Sequence, residues 1–331
     1  MKMTVVGCSP AWPNPGGAQS GYLLEGPGRV LLDCGPGVLA RLRANGQNDW
    51  PRVDAIAITH FHLDHWGDLV PWVWGMMWGL GREYEKPELW LPPGGREELA
   101  AFGTRFGTPD MFVRVFEPKE YAEGEPFEAA GLELTALRLP HYTVQTYGLR
   151  VSNSDRTLAY SGDSGPSERL ARLAAGVDLF LCEATLERGE LDGEPRGHLS
   201  AEEAVEAFEA SGARRLLLTH RPRELALDDG LEQAHDGLEV VVYEGLAERC
   251  SSPGCDGRSE AMALGASRLT RAPMLFSIGV TEDAVSGRAA RPGDTDRISS
   301  NPPTNAAVRA RRAACGTSAG LRSKAGAARS G

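Results

Sequence analysis

Hydrophobic positions along the chain fall mostly into runs of four to eight residues, set apart by clusters of Gly, Pro and polar residues. Runs of that length, bounded by turn formers, read as buried strands rather than helices. Residues 3–8, 21–24 and 29–33 are predicted strands, the last two joined as a hairpin across Gly26-Pro27-Gly28. Residues 54–58 form another strand, followed by candidates at 89–91, 112–116 and 132–139. Residues 147–151 and 157–160 make a second hairpin, and 178–182, 215–219 and 238–243 complete the set. Helices are predicted at 38–45, 95–102 and 166–175. A further helix opens at Ser200, where Glu203 three residues on makes a capping box and Ala204, Val205 and Phe208 give an apolar face. Runs of strands alternating with helices suit an α/β protein in which two sheets pack together with helices outside.

The pattern changes near residue 249. Beyond it Gly, Ala, Ser, Arg and Pro dominate and periodicity is lost, so 249–331 reads as a basic, disordered tail on an acidic body spanning 1–248. A formal charge of −10 gives no overall field for nucleic acid or an anionic membrane. No run approaches the ~20 apolar residues of a membrane span, and the opening residues are too short an apolar run for a signal peptide. The six cysteines show no disulfide framework. Reduced thiols and a cytoplasmic location are expected.

The chemistry concentrates in Thr59-His60-Phe61-His62-Leu63-Asp64-His65, directly after the 54–58 strand. Three of the seven histidines fall within it, a concentration that an ordinary polar turn would not produce. Three imidazoles and a carboxylate exceed what one catalytic zinc takes from its protein, since such a site keeps a position open. The surplus points to two metals. His141, Asp163 and His220 each follow the end of another predicted strand, where α/β enzymes gather site residues from distant segments. Trp74 and Trp78 share a helical face just beyond the loop, able to wall a pocket or to form a subunit contact in a homodimer.

The HxHxDH loop with a later His, an Asp and a last His resembles the metallo-β-lactamase superfamily over about residues 1–248. That resemblance implies an αββα four-layer sandwich. It implies that His60, His62 and His141 hold one divalent metal, that Asp64, His65 and His220 hold a second, and that Asp163 bridges them. Asp33 matches the aspartate that supports the metal loops, and Asp64 also counts as a catalytic carboxylate. Zinc suits these donors, and manganese or iron would accept them. A hydroxide shared by two such metals is a nucleophile at neutral pH.

Glu183-Ala184-Thr185 followed by Gly197-His198-Leu199-Ser200 resembles the ribonuclease Z and cyclic-nucleotide phosphodiesterase branches. There a histidine before a helix contacts the scissile phosphate, the role implied for His198, with Glu183 as its partner. The expected substrate is accordingly a small anionic phosphodiester, such as a cyclic nucleotide, or an RNA 3′ end. Only 21 residues separate His141 from Asp163, too few for the arm that bacterial ribonuclease Z typically inserts there. Tyr142 or one of the tryptophans could stack on a base. Three alternatives stand beside this: a ribonuclease Z without the arm, a thioester or lactone hydrolase, and a non-catalytic metal- or RNA-binding module.

Overall fold

The apolar runs become two mixed sheets stacked on a shared core. The computed structural model describes residues 1–46 and 49–242, all within the first of the chain's two units, Met1–Cys255. The tail expected from residue 249 lies outside the described residues. The first sheet contains β1 (Lys2–Gly7), β2 (Gly21–Glu25), β3 (Arg29–Leu32), β4 (Ala55–Ala57), β5 (Glu88–Leu91) and β6 (Glu117–Glu120). The second contains β7 (Pro126–Ala129), β8 (Leu132–Leu139), β9 (Thr146–Ser152), β10 (Thr157–Tyr160), β11 (Leu179–Glu183) and β12 (Leu216–Thr219). Finally β13 (Glu239–Val241) returns to pair antiparallel with β1. The spatial orders are β13-β1-β2-β3-β4-β5-β6 and β12-β11-β10-β9-β8-β7.

Side-chain alternation explains why the runs are apolar without a break. Leu24 and Leu32 point into the core between the sheets, while their neighbours Leu23 and Leu31 point outward. Both faces are covered, so both alternate sets are apolar. On the outer face of the first sheet lie α1 (Val38–Asn45), α2 (Leu63–Trp66), α3 (Leu69–Trp78) and α4 (Gly95–Arg105), packed through Trp66, Trp72 and Leu99. The second sheet is covered by α5 (Glu168–Leu173) and α6 (Ala201–Ser211), through Leu170, Leu173 and Ala204. The layers are therefore αββα, as expected. The predicted capping box of α6 forms, with the Glu203 side chain accepting from Ser200 N at 2.9 Å and Ser200 Oγ accepting from Glu203 N at 3.3 Å.

One predicted strand is absent. Residues 112–116 form successive turns, with Phe116 N donating to Phe112 O at 2.8 Å. Phe112, Val115 and Phe116 bury together at helical rather than alternating spacing. The strand begins immediately after, as Glu117–Glu120, whose Glu-Pro-Lys-Glu sequence gave no apolar signal. Polar residues and Pro are tolerated there because β6 is an edge strand.

The topology also collects strand ends. In the second sheet β8 and β10 are each antiparallel to β9, and β10, β11 and β12 are mutually parallel. Their C-terminal ends therefore share one rim. In the first sheet β3 and β4 are parallel, so Asp33 and Thr59 leave their strands on the same side.

On the outer layer α3 packs closely against the Trp50 ring. A Cβ added at Gly75 would lie 1.9 Å from a Trp50 ring carbon. Gly75→Ala gains about 1 kcal/mol of helix propensity but forces a clash of the kind that costs about 1–3 kcal/mol. The clash should win, and a lowered urea midpoint would register it. An unchanged or raised midpoint would show that Trp50 yields freely.

Candidate metal centre

The rim gathers residues from four regions of the chain. His60 and His62 follow β4, Asp64 and His65 lie on α2, His141 follows β8, Asp163 follows β10, and His220 follows β12. Donor atoms of His60, His62, His141 and Asp163 lie within 4.8 Å of one another, as do those of Asp64, His65, Asp163 and His220. Asp163 belongs to both groups. Each set named from the sequence is thus brought together, and the carboxylate proposed as the bridge is the one they share.

Outer hydrogen bonds aim the rings. His60 Nδ1 lies 3.1 Å from Thr59 Oγ1, His141 Nδ1 donates to Gly197 O at 2.6 Å, and His220 Nδ1 lies 2.9 Å from Thr185 Oγ1. His65 Nδ1 meets Asp33 Oδ2 at 2.7 Å. In every case Nε2 is left to face inward. His62 is turned the other way, its Nδ1 lying 2.9 Å from His141 Nε2. Carboxylates, carbonyls and hydroxyls behind imidazoles are what fixes ring orientation in metal sites.

Two observations test whether cations fit. First, His60 Nε2, His65 Nε2 and Asp163 Oδ1 are buried and make no hydrogen bond among the described residues. Buried polar atoms rarely go without a hydrogen bond, and these three converge on the same space, where His65 Nε2 and Asp163 Oδ1 make only an ion-pair contact at 3.2 Å. Second, the donors are imidazole and carboxylate, a set suited to zinc and its neighbours. Both support a pair of divalent cations, one in each group.

Protonation follows the same division. Burial, reinforced by the neighbouring imidazoles, holds His60 and His62 below the usual histidine range, the neutral state a metal ligand needs. Burial lowers His141 likewise. Burial would also lower His65, but the Asp163 and Asp33 carboxylates outweigh it and raise that ring well above its usual range. A cation in the second group would have to displace this proton. Burial opposes ionisation of Asp64 and Asp163 as well. His220 and His65 overcome it and hold both carboxyls below the usual range.

Strain concentrates here too. Among the described residues, four non-glycines have positive φ, and three of them are Asp33 (57°), Tyr142 (46°) and His220 (52°). Left-handed backbone costs roughly 1–2 kcal/mol per residue, so the surrounding hydrogen bonds must hold these turns in place.

Beside the two groups stands His198, which belongs to neither of them; its donor atom gathers instead with those of Glu183 and His220, all within 4.8 Å of one another. Its Nδ1 is 2.9 Å from Glu183 Oε1, and its ring stacks on His220 at 5.8 Å and meets His141 edge-on at 4.9 Å. Burial disfavours its charge, but Glu183 carries its pKa up to about 9. Glu183 also accepts from Ser164 N at 2.9 Å, and from Thr185 N at 3.1 Å and Oγ1 at 2.8 Å.

Sequence reasoning did not single out Thr59, Tyr160 or Asp192. Thr59 and Tyr160 both bond Asp33, and Asp192 accepts from Gly197 N at 2.7 Å and His198 N at 3.0 Å. Thr59 had a signal, standing directly before the histidine run. Asp192 had none, because only the folded loop brings it back to His198. Of the tryptophans, Trp72 is core, whereas Trp74 and Trp78 stack at 5.0 Å with Trp78 exposed.

Two stacked mixed sheets with these His/Asp groups at the strand ends define an α/β metallo-hydrolase of the metallo-β-lactamase type. The sequence pattern of the β-lactamase superfamily domain matches residues 28–221. The chain belongs to the metallo-β-lactamase superfamily, as a hydrolase related to YhfI and ribonuclease Z. A Mycobacterium leprae protein, ML1173, is 33% identical over 252 residues, covering 73% of this chain and 85% of that protein. The "probable metallo-hydrolase YhfI" of Bacillus subtilis is 30% identical over 227 residues, covering 67% and 87%. Ribonuclease Z of Methanothermobacter thermautotrophicus is 29% identical over 269 residues, covering 66% and 86%. In structure, B. subtilis YhfI superposes with a TM-score of 0.62 at 23% identity, covering 72% of this chain and 99% of its own. The short form of human tRNase Z gives 0.58 at 21% identity, covering 74% and 100%. Zinc-bound PqqB of Methylobacterium extorquens gives 0.59 at 19%, covering 73% and 100%.

Ligand roles differ in what their loss should do. Asp163→Ala removes a donor from both groups and should lower bound metal from two ions per chain to at most one, read by elemental analysis. Thr185→Val removes the hydroxyl that stands behind His220 and also donates to Glu183, and should keep two ions while weakening one about 10–100-fold in calorimetric titration. Two tightly held ions in Asp163→Ala would contradict the shared position.

Proposed function

We propose that the protein is a dimetal phosphodiesterase acting on a small nucleotide phosphodiester. The observation that carries this reading is His198: an imidazole outside both ligand groups, against their rim, with Nδ1 committed to Glu183 at 2.9 Å. Its other nitrogen, Nε2, makes no hydrogen bond among the described residues and can act on a substrate. Hydrolysis of a phosphodiester needs a proton on the departing oxygen, and a positioned imidazole is the usual donor. Thioester hydrolysis expels a thiolate and gains far less from such a group.

His60, His62 and His141 would hold one cation, Asp64, His65 and His220 the other, and Asp163 both. Zinc is the proposed metal. When bound, two such cations supply Lewis-acid polarisation of the phosphoryl group and an activated water. Asp64 remains an ionised acceptor at the centre, held there by His65 and His220. Glu183 fixes the His198 ring so that Nε2 presents to the leaving oxygen. Names among the relatives support phosphodiester chemistry, ribonuclease Z and tRNase Z above all. A small substrate is favoured over a tRNA precursor by the span after His141. Its two strands, β9 and β10, are joined by four residues and carry no protruding arm. The formal charge of −10 likewise offers no track for a long RNA backbone.

Zinc-reconstituted protein should hydrolyse bis-p-nitrophenyl phosphate and cyclic AMP, and turn over S-lactoylglutathione poorly. His198→Ala should lower kcat on cyclic AMP by about 10²–10⁴-fold while two metals remain bound. Thioester turnover without phosphodiester turnover would overturn the reading, and a fully active His198→Ala enzyme would remove His198 from it.

A further inference from the structure

His198 is held by its backbone as firmly as by its ring. Asp192, whose side chain is 5% exposed, accepts from the backbone N–H groups of Gly197 and His198 through Oδ2, at 2.7 and 3.0 Å. Its Oδ1 accepts from Tyr142 Oη at 3.0 Å and from Gly193 N at 3.1 Å. The carbonyl of His198 accepts from Arg196 Nη2 at 3.1 Å, and the same guanidinium is paired with Glu203 on α6. Both peptide groups of His198 are therefore fixed before Glu183 touches its ring.

The same short segment reaches a metal-group residue. Gly197 N–H is bonded to Asp192, and Gly197 C=O accepts from His141 Nδ1 at 2.6 Å. Tyr142, the neighbour of His141, closes the loop. It occupies left-handed backbone at φ 46°, its N–H donates to Arg196 O at 3.1 Å, and its ring fills the space beside Gly197. A Cβ at Gly197 would lie 2.4 Å from that ring. Burial, reinforced by Asp192, pushes the Tyr142 hydroxyl up to about 12, so it remains a hydrogen-bond donor across the working range. Burial opposes the Asp192 charge, but the Gly197 and His198 N–H groups outweigh it and hold the carboxyl below the usual range.

We infer that Asp192 is a positioning residue that locks the Gly197–His198 peptide and so sets the placement of His198 for the hydrolytic step, with Tyr142 as its brace. The inference rests on the phosphodiesterase reading for the step that His198 serves. It adds a residue with no ligand role, no contact with the metal groups and no signal in the sequence. Charged hydrogen bonds to backbone N–H groups are short and strong. One carboxylate serving two consecutive N–H groups fixes a peptide plane better than packing alone. Misplacement by about 1 Å is enough to cost a reaction on the order of a hundredfold.

Leaving groups separate this role from a general loss of structure. p-Nitrophenolate departs without a proton, whereas the alkoxide of cyclic AMP needs one. Asp192→Ala should lower kcat for cyclic AMP at least about tenfold, with KM and bis-p-nitrophenyl phosphate turnover within about twofold. Asp192→Ala combined with His198→Ala should be no slower than His198→Ala alone, because both act through one imidazole. A readout independent of activity is the hydrogen-bonded His198 Nδ1 proton in NMR spectra of the zinc protein, assigned by its loss in His198→Ala. It should broaden or shift in Asp192→Ala and change less in Tyr142→Phe, which keeps the carboxylate. Equal loss on both substrates, losses that multiply in the double variant, or an unmoved Nδ1 proton would overturn the inference. If His198→Ala itself shows no preference between leaving groups, the phosphodiesterase mechanism fails instead, and the NMR result still decides whether Asp192 places the ring.

Discussion

A single buried carboxylate, Asp33, joins the two sheets and the metal loop. It accepts from Thr59 N at 2.8 Å, from His65 Nδ1 at 2.7 Å and from Tyr160 Oη at 2.8 Å. Asp33 and Thr59 extend from strands of the first sheet and Tyr160 ends a strand of the second, so the Tyr160 bond crosses the interface between the layers while the other two tie in the metal loop. Each buried donor left unpaired costs roughly 1–3 kcal/mol. Three such losses would approach the whole stability of a domain, about 5–15 kcal/mol. The positive φ of Asp33 is the local cost of placing one acceptor within reach of all three.

From that anchor the site follows by topology. Parallel and alternately antiparallel strands deliver their ends to one rim, where His141, Asp163, Glu183 and His220 emerge beside the loop that carries His60 to His65. Hydrogen bonds behind the rings leave Nε2 of His60, His65, His141 and His220 facing inward, and His60 Nε2, His65 Nε2 and Asp163 Oδ1, which make no hydrogen bond among the described residues, face each other, the last two as an ion-pair contact at 3.2 Å. An interior with such atoms is unfavourable without something to satisfy them. Folding and cation binding are in that sense one problem, and a second layer of groups (Thr59, Thr185, Gly197 O) solves its orientation part.

Much of this was legible in the chain itself. The strands 29–33, 132–139 and 178–182 are apolar enough to declare themselves, and the HxHxDH run is dense enough to mark its chemistry. What stayed hidden has physical reasons. The edge strand Glu117–Glu120 is polar because one side faces solvent, and the 112–116 run buries at helical spacing while resembling a strand in composition. Asp192 was opaque, and Tyr142 was read only as a possible stacking ring, because their contacts are with groups of residues brought near only by folding. Local pattern reports burial and donor type well; it does not report which carbonyl or N–H a side chain will meet across the fold.

One titration tests most directly the proposal that two cations sharing Asp163 make a phosphodiester hydrolase. Metal-free protein is titrated with zinc while bis-p-nitrophenyl phosphate turnover and bound metal are followed together. Little turnover is expected through the first equivalent, with a rise to full rate as the second binds. Full activity at one equivalent, or two bound ions with no phosphodiester turnover, would contradict it.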